Sequence, residues 1–312
     1  MHTQITTVLA AMVLFSTLST SLATLMAYDP FLAGGPSPDL AAGEYETGTS
    51  PQSDSLNTQA PTVFGFTSDA WTQTGGFANN IYYRTEADQL GYTDSNGNSL
   101  NTQAGQLNLF RSSGNSDTDK DISRTLALTT SLPNTLYLSL LVQKSGTSEF
   151  RLRSASTDTV GTAGTRRFNF GIKRDGVPYV TGTGPGSGEV ANTNVVVSSD
   201  QPHLLVAKLV NTGTTNDELH LYIDPILDDE SLNTPIVSLL VGNYYVGSNA
   251  DWSLLDIYFQ NRVVDAPSSV IMDELRIGNT WADVSPFTAI PEPSALGLLA
   301  IGLLLLRRSL KA

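Results

Sequence analysis

Leu219-His220-Leu221-Tyr222-Ile223 alternates side chains with a period of two, and so does Leu136-Tyr137-Leu138-Ser139-Leu140. That is the strand period: successive side chains leave opposite faces, so each run predicts one face in a core and one toward water. The pattern returns in Phe150-Arg151-Leu152-Arg153, in Phe168-Asn169-Phe170-Gly171-Ile172 and in Leu255-Asp256-Ile257-Tyr258-Phe259. His203-Leu204-Leu205-Val206-Ala207-Lys208-Leu209-Val210 is apolar on nearly every position, which predicts a central strand covered on both faces. Between these runs lie turn formers: Lys144-Ser145-Gly146, the glycine-rich Thr181 to Gly188, and Asn211 to Asn216. No stretch of the body carries a long helical period with caps. The expectation is all-β: a jelly roll of two packed antiparallel sheets.

The chain has 312 residues, with 17 Lys and Arg against 30 Asp and Glu, a formal charge of −13. It contains no cysteine, which excludes a disulfide framework, a thiolate metal site and a cysteine nucleophile. The acidic balance repels phosphate backbones, so nucleic acid is not an expected partner. The glycine-rich 181–188 segment lacks the Lys-Ser/Thr and the following helix of a phosphate cradle, and reads as a hairpin tip.

Both ends read as addresses. Val8 to Phe15 is apolar, hydroxyl residues follow, and Ser21-Leu22-Ala23 offers small residues for cleavage, so residues 1–23 are expected to be a signal peptide. Ala27 is the alternative cleavage position, and cutting at Ala23 leaves Thr24 to Tyr28 as a first strand. Residues 24–288 then form the domain, with a loop-rich stretch over 29–61 that holds Pro30, Pro36, Pro38, Pro51 and Pro61. At the other end Pro291-Glu292-Pro293 precedes the apolar run Ala295 to Leu306, followed by Arg307 and Arg308. Those 12 apolar residues make a helix of only about 18 Å against a hydrocarbon core of about 30 Å. Residues 294–306 would therefore hold a membrane transiently, with the arginines kept on the cytoplasmic side.

Residues 289–312 closely resemble the PEP-CTERM sorting signal of Gram-negative bacteria. The resemblance implies export and transient inner-membrane anchoring. It also implies processing near Pro291, Glu292 and Pro293 by an exosortase-type enzyme, and a destination in the outer envelope or exopolysaccharide matrix. Three stretches of the body resemble concanavalin A-like, laminin G-like sandwiches: Tyr28-Asp29-Pro30-Phe31 their opening, Leu219 to Pro225 a late strand, and Met272 to Val284 the last strand. In that fold the first and last strands sit side by side.

Chemistry is sparser. A retaining glycosidase needs two carboxylates about 5–5.5 Å apart, which a strand supplies at i and i+2 or i+4. No such strand is present: Asp273 and Glu274 are adjacent, and Asp228-Asp229-Glu230 falls in a loop between Pro225 and Pro235. Three histidines, one in the leader, and no Gly-x-Ser-x-Gly speak against a serine hydrolase. No catalytic residue is therefore expected.

Asp117, Asp119 and Asp121 alternate as calcium ligands do, but Ile122 stands where the loop glycine should be and Leu128 where the bidentate Glu should be. A solvated hairpin loop is the preferred reading of 115–121, with calcium as the cation such a loop would take. Asp273 shares parity with Ile271, Leu275 and Ile277, which places it on the apolar face; the preferred reading is a structural acid, hydrogen-bonded or paired with Arg84, Arg124 or Arg262, and the functional alternative is a metal ligand. For a sugar, the water-facing aromatic and planar groups are His220, Tyr222 and Tyr258. The reading is an exported, non-catalytic envelope or matrix sandwich, either a polysaccharide binder or a structural filler without a ligand, two roles the residues do not separate. The alternative is a secreted glycan-active hydrolase on the same scaffold.

Overall fold

The computed structural model describes residues 25–34, 45–46, 63–68, 71–75, 81–86, 88–111, 118–127, 133–155, 166–182, 188–212, 216–242, 254–261 and 268–288. Residues 1–23 and 289–312, expected to be a leader and a sorting tail, and most of the 29–61 stretch lie outside them. The strands in chain order are β1 (Leu25–Asp29), β2 (Ala33–Gly34), β3 (Tyr45–Glu46), β4 (Thr72–Gly75), β5 (Ile81–Glu86), β6 (Ser99–Leu100) and β7 (Gln106–Arg111). Next come β8 (Thr118–Thr125), β9 (Thr135–Ser145), β10 (Ser148–Ala155), β11 (Arg166–Ile172), β12 (Pro178–Gly182) and β13 (Glu189–Ala191). The last are β14 (Pro202–Val210), β15 (Asn216–Ile223), β16 (Val237–Gly242), β17 (Leu254–Asn261), β18 (Ser268–Gly278) and β19 (Phe287–Thr288). A 3-10 turn over Glu230–Leu232 follows β15, and a single helical turn, α1 (Trp281–Val284), follows β18.

One sheet runs β16-β15-β14-β9-β18-β7-β5, with β1 also on β18; the other runs β13-β12-β11-β10-β17-β8-β4. The chain passes between the sheets from β7 to β8, β8 to β9 and β9 to β10. On its return β18 is inserted between β7 and β9, while β17 is inserted between β8 and β10. That interleaving is the jelly-roll arrangement. β18 is shared along its length: Ser268 to Met272 pair with β7, and Leu275 to Gly278 pair with β1, so the first strand closes on the last long one.

The inner faces follow the sequence pattern. Leu136, Leu138, Leu140 and Val142 of β9, with Leu205, Ala207 and Leu209 of β14 and Leu219 and Leu221 of β15, meet Phe150, Leu152, Phe170, Ile172 and Ile257 of the opposite sheet. Each such Leu, Ile or Phe stabilises the fold by roughly 1.5–3 kcal/mol through burial. A core on this scale explains how the fold persists without disulfides. β14 lies inside its sheet, between β15 and β9, as its two-faced apolar run requires.

Four expectations need correcting. First, the outer face of the β14 sheet does not meet water around Tyr137 and Tyr222. Leu90, Leu100, Leu141, Leu204, Val206, Leu227, Trp281 and Val284 join those tyrosines in a second core, because residues 88–101, residues 224–236 and α1 fold over that face. Second, Asp273 is not on the inter-sheet face. Asp273 pairs with Leu141 but Arg276 pairs with Ser139, so β18 carries one extra residue here, with Glu274 at φ 56°. This bulge exchanges the faces. Val270 and Met272 point inward before it, and Leu275 and Ile277 after it. Third, the stretch from Met272 to Val284 is not one strand: β18 stops at Gly278, and Thr280 caps α1 through a reciprocal box with Asp283. Fourth, Thr118 to Asp121 belong to β8, paired with β17, and are not in a hairpin loop.

Candidate functional site

The 224–236 segment is built as a rigid platform over the β14 sheet. Asn233 ties it across, with its Nδ2 donating to the Ile226 and Asp229 carbonyls and its Oδ1 accepting the Ile226 N–H at 2.7 Å. Asp229 accepts the Ser231 N–H and caps the 3-10 turn. From outside, Asp94 accepts the Leu227 N–H, while Tyr92 donates to the Pro225 carbonyl. The Trp281 indole and the Ser285 hydroxyl both donate to the Leu227 carbonyl. So many fixed partners leave the loop little freedom, and a loop held this way is a preorganised surface.

Between this platform and α1 opens a cleft of about 440 Å³, lined by Thr135, Tyr137, Asp228, Asp229, Glu230, Asn279, Thr280, Trp281 and Ala282. Its floor is aromatic: the Trp281 ring meets Tyr222 at 5.3 Å and Tyr137 at 6.1 Å, both edge-on. Glu230 is the electrostatic centre. One carboxylate oxygen accepts from Lys208 Nζ at 2.6 Å and Tyr222 at 2.9 Å, and the other from Tyr137 at 2.7 Å. Partial burial alone would raise the Glu230 carboxyl, but those three donors hold it below the ordinary carboxylate range. Burial, and then the bond to this carboxylate, push both tyrosine hydroxyls up, so neither is a base near neutral pH. At the rim Asp228 and Asp229 are exposed. Asn279 Oδ1, buried beside them, has no hydrogen-bond partner.

Cross-strand register extends the site. Tyr137 pairs with Lys208, Lys208 with His220 and His220 with Ser238, so one polar row leads from the cleft across four strands. His220 lies in that row, its ring nitrogens 2.9 Å from Ser238 Oγ and 3.1 Å from Glu218 Oε2. Tyr222, by contrast, is 5% exposed and lies beneath the cleft as packing. Tyr258 is on the other sheet, opposite Arg151 and Asp121. The structure therefore brings His220 and Tyr222 together and leaves Tyr258 apart. Asp119 and Asp121 pair in register with Gln260 and Tyr258 between β8 and β17, while Asp117 lies outside the described residues, as do Pro291, Glu292, Pro293, Arg307 and Arg308. Among the described residues no three acidic or histidine side chains converge as a metal site. Nor is any helix there long and apolar enough to cross a membrane.

The acids at the bulge are sealed. Asp273 and Glu274 are 0% and 1% exposed. Asp273 accepts the Leu90 and Glu274 N–H groups at 3.0 and 2.8 Å. Glu274 pairs with Arg276 and accepts from the Tyr28 hydroxyl and the Gln103 N–H. Asp273 is thus a hydrogen-bonded acid; Arg262 and the Arg84 side chain lie outside the described residues. Arg124 is instead buried 3.9 Å from Asp29. Burial, and then the Glu274 charge, push the Asp273 carboxyl up to about 9, although the two N–H donors and Arg276 oppose the shift.

A second arrangement was missed by the sequence reading. Ser198 Oγ lies 2.8 Å from His203 Nε2, and His203 Nδ1 lies 2.6 Å from Asp224 Oδ2. The available signal was the hairpin register: once Leu205 pairs with Ile223, Asp224 must lie at the head of β14 beside His203.

No family model and no curated protein matches the chain. Among solved structures it is similar to an endo-β-1,4-glucuronan lyase of the fungus Trichoderma reesei, at 12% identity and TM-score 0.42 over 70% of this chain and 100% of that one. It is also similar to a carbohydrate esterase of the Shiga toxin-encoding bacteriophage phi24B, at 11% identity and TM-score 0.39 over 83% and 99%. A third is the carbohydrate recognition domain of Emp47p, at 12% identity and TM-score 0.38 over 65% and 89%. Likeness at this level carries no argument about ligand or reaction. The jelly roll stands on strand order and register.

Proposed function

We propose that the chain is an exported β-sandwich of the cell envelope or extracellular matrix that binds neutral polysaccharide in the cleft beside α1 without cutting it. The observation that carries this reading is the cleft itself: an open trough between two fixed walls, with an aromatic floor and a rim of planar oxygen-bearing side chains. Sugar hydroxyls are donors that suit the exposed Asp228 and Asp229, with the unpartnered Asn279 Oδ1 buried behind them, while Tyr137 and Trp281, 6% and 7% exposed, close the floor beneath as a largely buried apolar surface. Uronate or sulfated polymers would meet Asp228, Asp229 and Glu230, with Lys208, already paired with Glu230, as the compensating charge among the described residues there.

The same carboxylates support holding over hydrolysis. A glycosidic general acid has to be protonated and reachable. Glu230 is held ionised with its oxygens engaged, and the raised acids, Asp273 and Glu274, are sealed inside. A glycosidase on this scaffold is thus the less favoured reading.

Delivery is the part implied by the ends of the chain: a leader over 1–23, and a tail processed near Pro291-Glu292-Pro293 by an exosortase-type enzyme. The described domain closes with β19, at Thr288, and β1 begins at Leu25, so both proposed cuts spare every described strand. Cleavage after Ala27 would instead remove Leu25 to Ala27 of the five-residue β1, which supports Ala23 as the proposed site over the alternative. The test is an oligosaccharide array probed with the purified exported protein, alongside a reducing-end assay on each bound glycan. Binding of neutral chains with no new reducing ends is expected. New reducing ends would turn the assignment to the hydrolase.

A further inference from the structure

Away from the cleft, three side chains from three separate segments meet in one line: Ser198 before β14, His203 at its head and Asp224 at the end of β15. We propose that Ser198, His203 and Asp224 form a nucleophile, base and orienting acid that hydrolyse short acyl esters, with O-acetyl groups on a polysaccharide as the substrate class. The ester chemistry stands on these residues alone; its placement on a glycan rests on the binding reading above.

Each member is fixed. Asp224 sits at φ 49°, a left-handed conformation that costs a non-glycine residue stability and persists only where the surroundings hold it. Here Leu204 holds it twice, donating its N–H to Oδ1 at 3.0 Å and accepting the Asp224 N–H at 2.8 Å. The other oxygen, Oδ2, is thereby aimed at His203 Nδ1. A carboxylate there accepts the Nδ1 proton, which leaves the Nε2 lone pair to accept the Ser198 hydroxyl. Ser198 is steadied from both sides: the Val197 N–H donates to the Gly176 carbonyl at 2.9 Å, and the Asp200 N–H to the Lys144 carbonyl at 2.8 Å. Gly176, at φ 83°, allows that approach, since a Cβ there would lie 2.7 Å from the Val197 oxygen.

The setting also suits such a substrate. Ser198 is exposed, and the His203 side chain retains 12% exposure, so a polymer-borne ester can reach them. Val196, two residues before Ser198, is 64% exposed and offers apolar surface close in sequence for a short acyl group.

In the first step Ser198 Oγ attacks the ester carbonyl carbon and its proton passes to His203 Nε2. The carbon–alkoxy bond breaks, and the sugar oxygen leaves with that proton. Water then attacks the acyl-serine and gives a proton to Nε2. The Oγ–acyl bond breaks, Ser198 recovers the proton, and a carboxylic acid departs. Water is the only co-reactant. Ser198 and His203 touch the reacting atoms, whereas Asp224 is a positioning residue.

The test uses the purified exported protein with p-nitrophenyl acetate and acetylated xylan, and a fluorophosphonate probe mapped by peptide mass spectrometry. The expected results are labelling at Ser198, acetate release from both substrates, and loss of both in Ser198→Ala. Asp224→Asn should lower kcat about a thousandfold or more with KM nearly unchanged, a split that misfolding would not give. Equal acetate release by the wild type and Ser198→Ala, or no label at Ser198, overturns the relay. Activity on p-nitrophenyl acetate without release from xylan overturns the glycan placement. Loss of polysaccharide binding with the relay intact would remove the binding reading instead.

Discussion

Asp273 offers a quantitative test of the bulge in β18. Its carboxyl is fully buried, faces the Glu274 charge, and is pushed up to about 9. In the unfolded chain the same group titrates near about 3.9. Between those values folding takes up a proton at Asp273, so its contribution is fully present below about pH 4 and declines as pH rises to about 9. The slope is about 1.4 kcal/mol per pH unit, or about 4 kcal/mol between pH 5 and pH 8.

Asp273→Asn removes this slope but supplies one oxygen acceptor where two N–H groups point, a loss of about 1–2 kcal/mol. The wild type has already lost about 1.5 kcal/mol of this contribution by pH 5, so the two proteins should be close in stability there and the variant more stable by about 4 kcal/mol at pH 8. Urea unfolding followed by tryptophan fluorescence across that range measures both. A stability difference between the two proteins that stays constant with pH would mean that Asp273 is ionised in the folded state, and the account of the bulge would be wrong.

Two further outcomes follow from the ends of the last long strand and of the chain. Gly278→Ala would place a Cβ 2.2 Å from that of Asp283, whose carboxylate caps α1 by accepting from Asn279 and Thr280. Loss of the cap and the displaced cleft wall should cost about 1–3 kcal/mol in thermal melts and weaken glycan binding, whereas wild-type melting would show that Asp283 yields freely. Replacing Arg307 and Arg308 with Gln should leave precursor with its tail uncut in cells, because the basic cluster sets membrane orientation; unchanged tail removal on immunoblots would count against that role.

The fold was legible because its information is local. Leu136-Leu138-Leu140 and Leu219-Leu221 display the strand period without help from distant residues, and the inner faces obey it. What escaped was long-range. Nothing near Tyr222 announces that residues 224–236 and α1 will cover its face, so alternation assigned it to water. A single extra residue in β18 reversed the face of Asp273, and parity counting cannot register a bulge. Trp281-Ala282-Asp283-Val284 continued an apparent strand until Thr280 and Asp283 closed a cap around it.

The candidate sites depended on these same long-range facts. His220 was visible as a water-facing polar residue, and the row it shares with Tyr137 and Lys208 needed the register of three strands. Ser198 and His203 are five positions apart and resemble no motif. Their relation to Asp224 exists only through the hairpin of β14 and β15.

The central claim, that the cleft between the 224–236 platform and α1 holds neutral glycan, is tested most directly by calorimetric titration of a neutral oligosaccharide into the purified protein and into its Asp228→Ala/Asn279→Ala variant. Both substitutions lie at the rim and leave the aromatic floor in place. The account predicts that a neutral oligosaccharide selected on the array binds the wild type, that the double variant binds at least about tenfold more weakly, a loss of about 1.4 kcal/mol, and that uronate oligomers bind neither protein. Equal affinity for the two proteins would place the glycan elsewhere on the sandwich and contradict the assignment of the cleft.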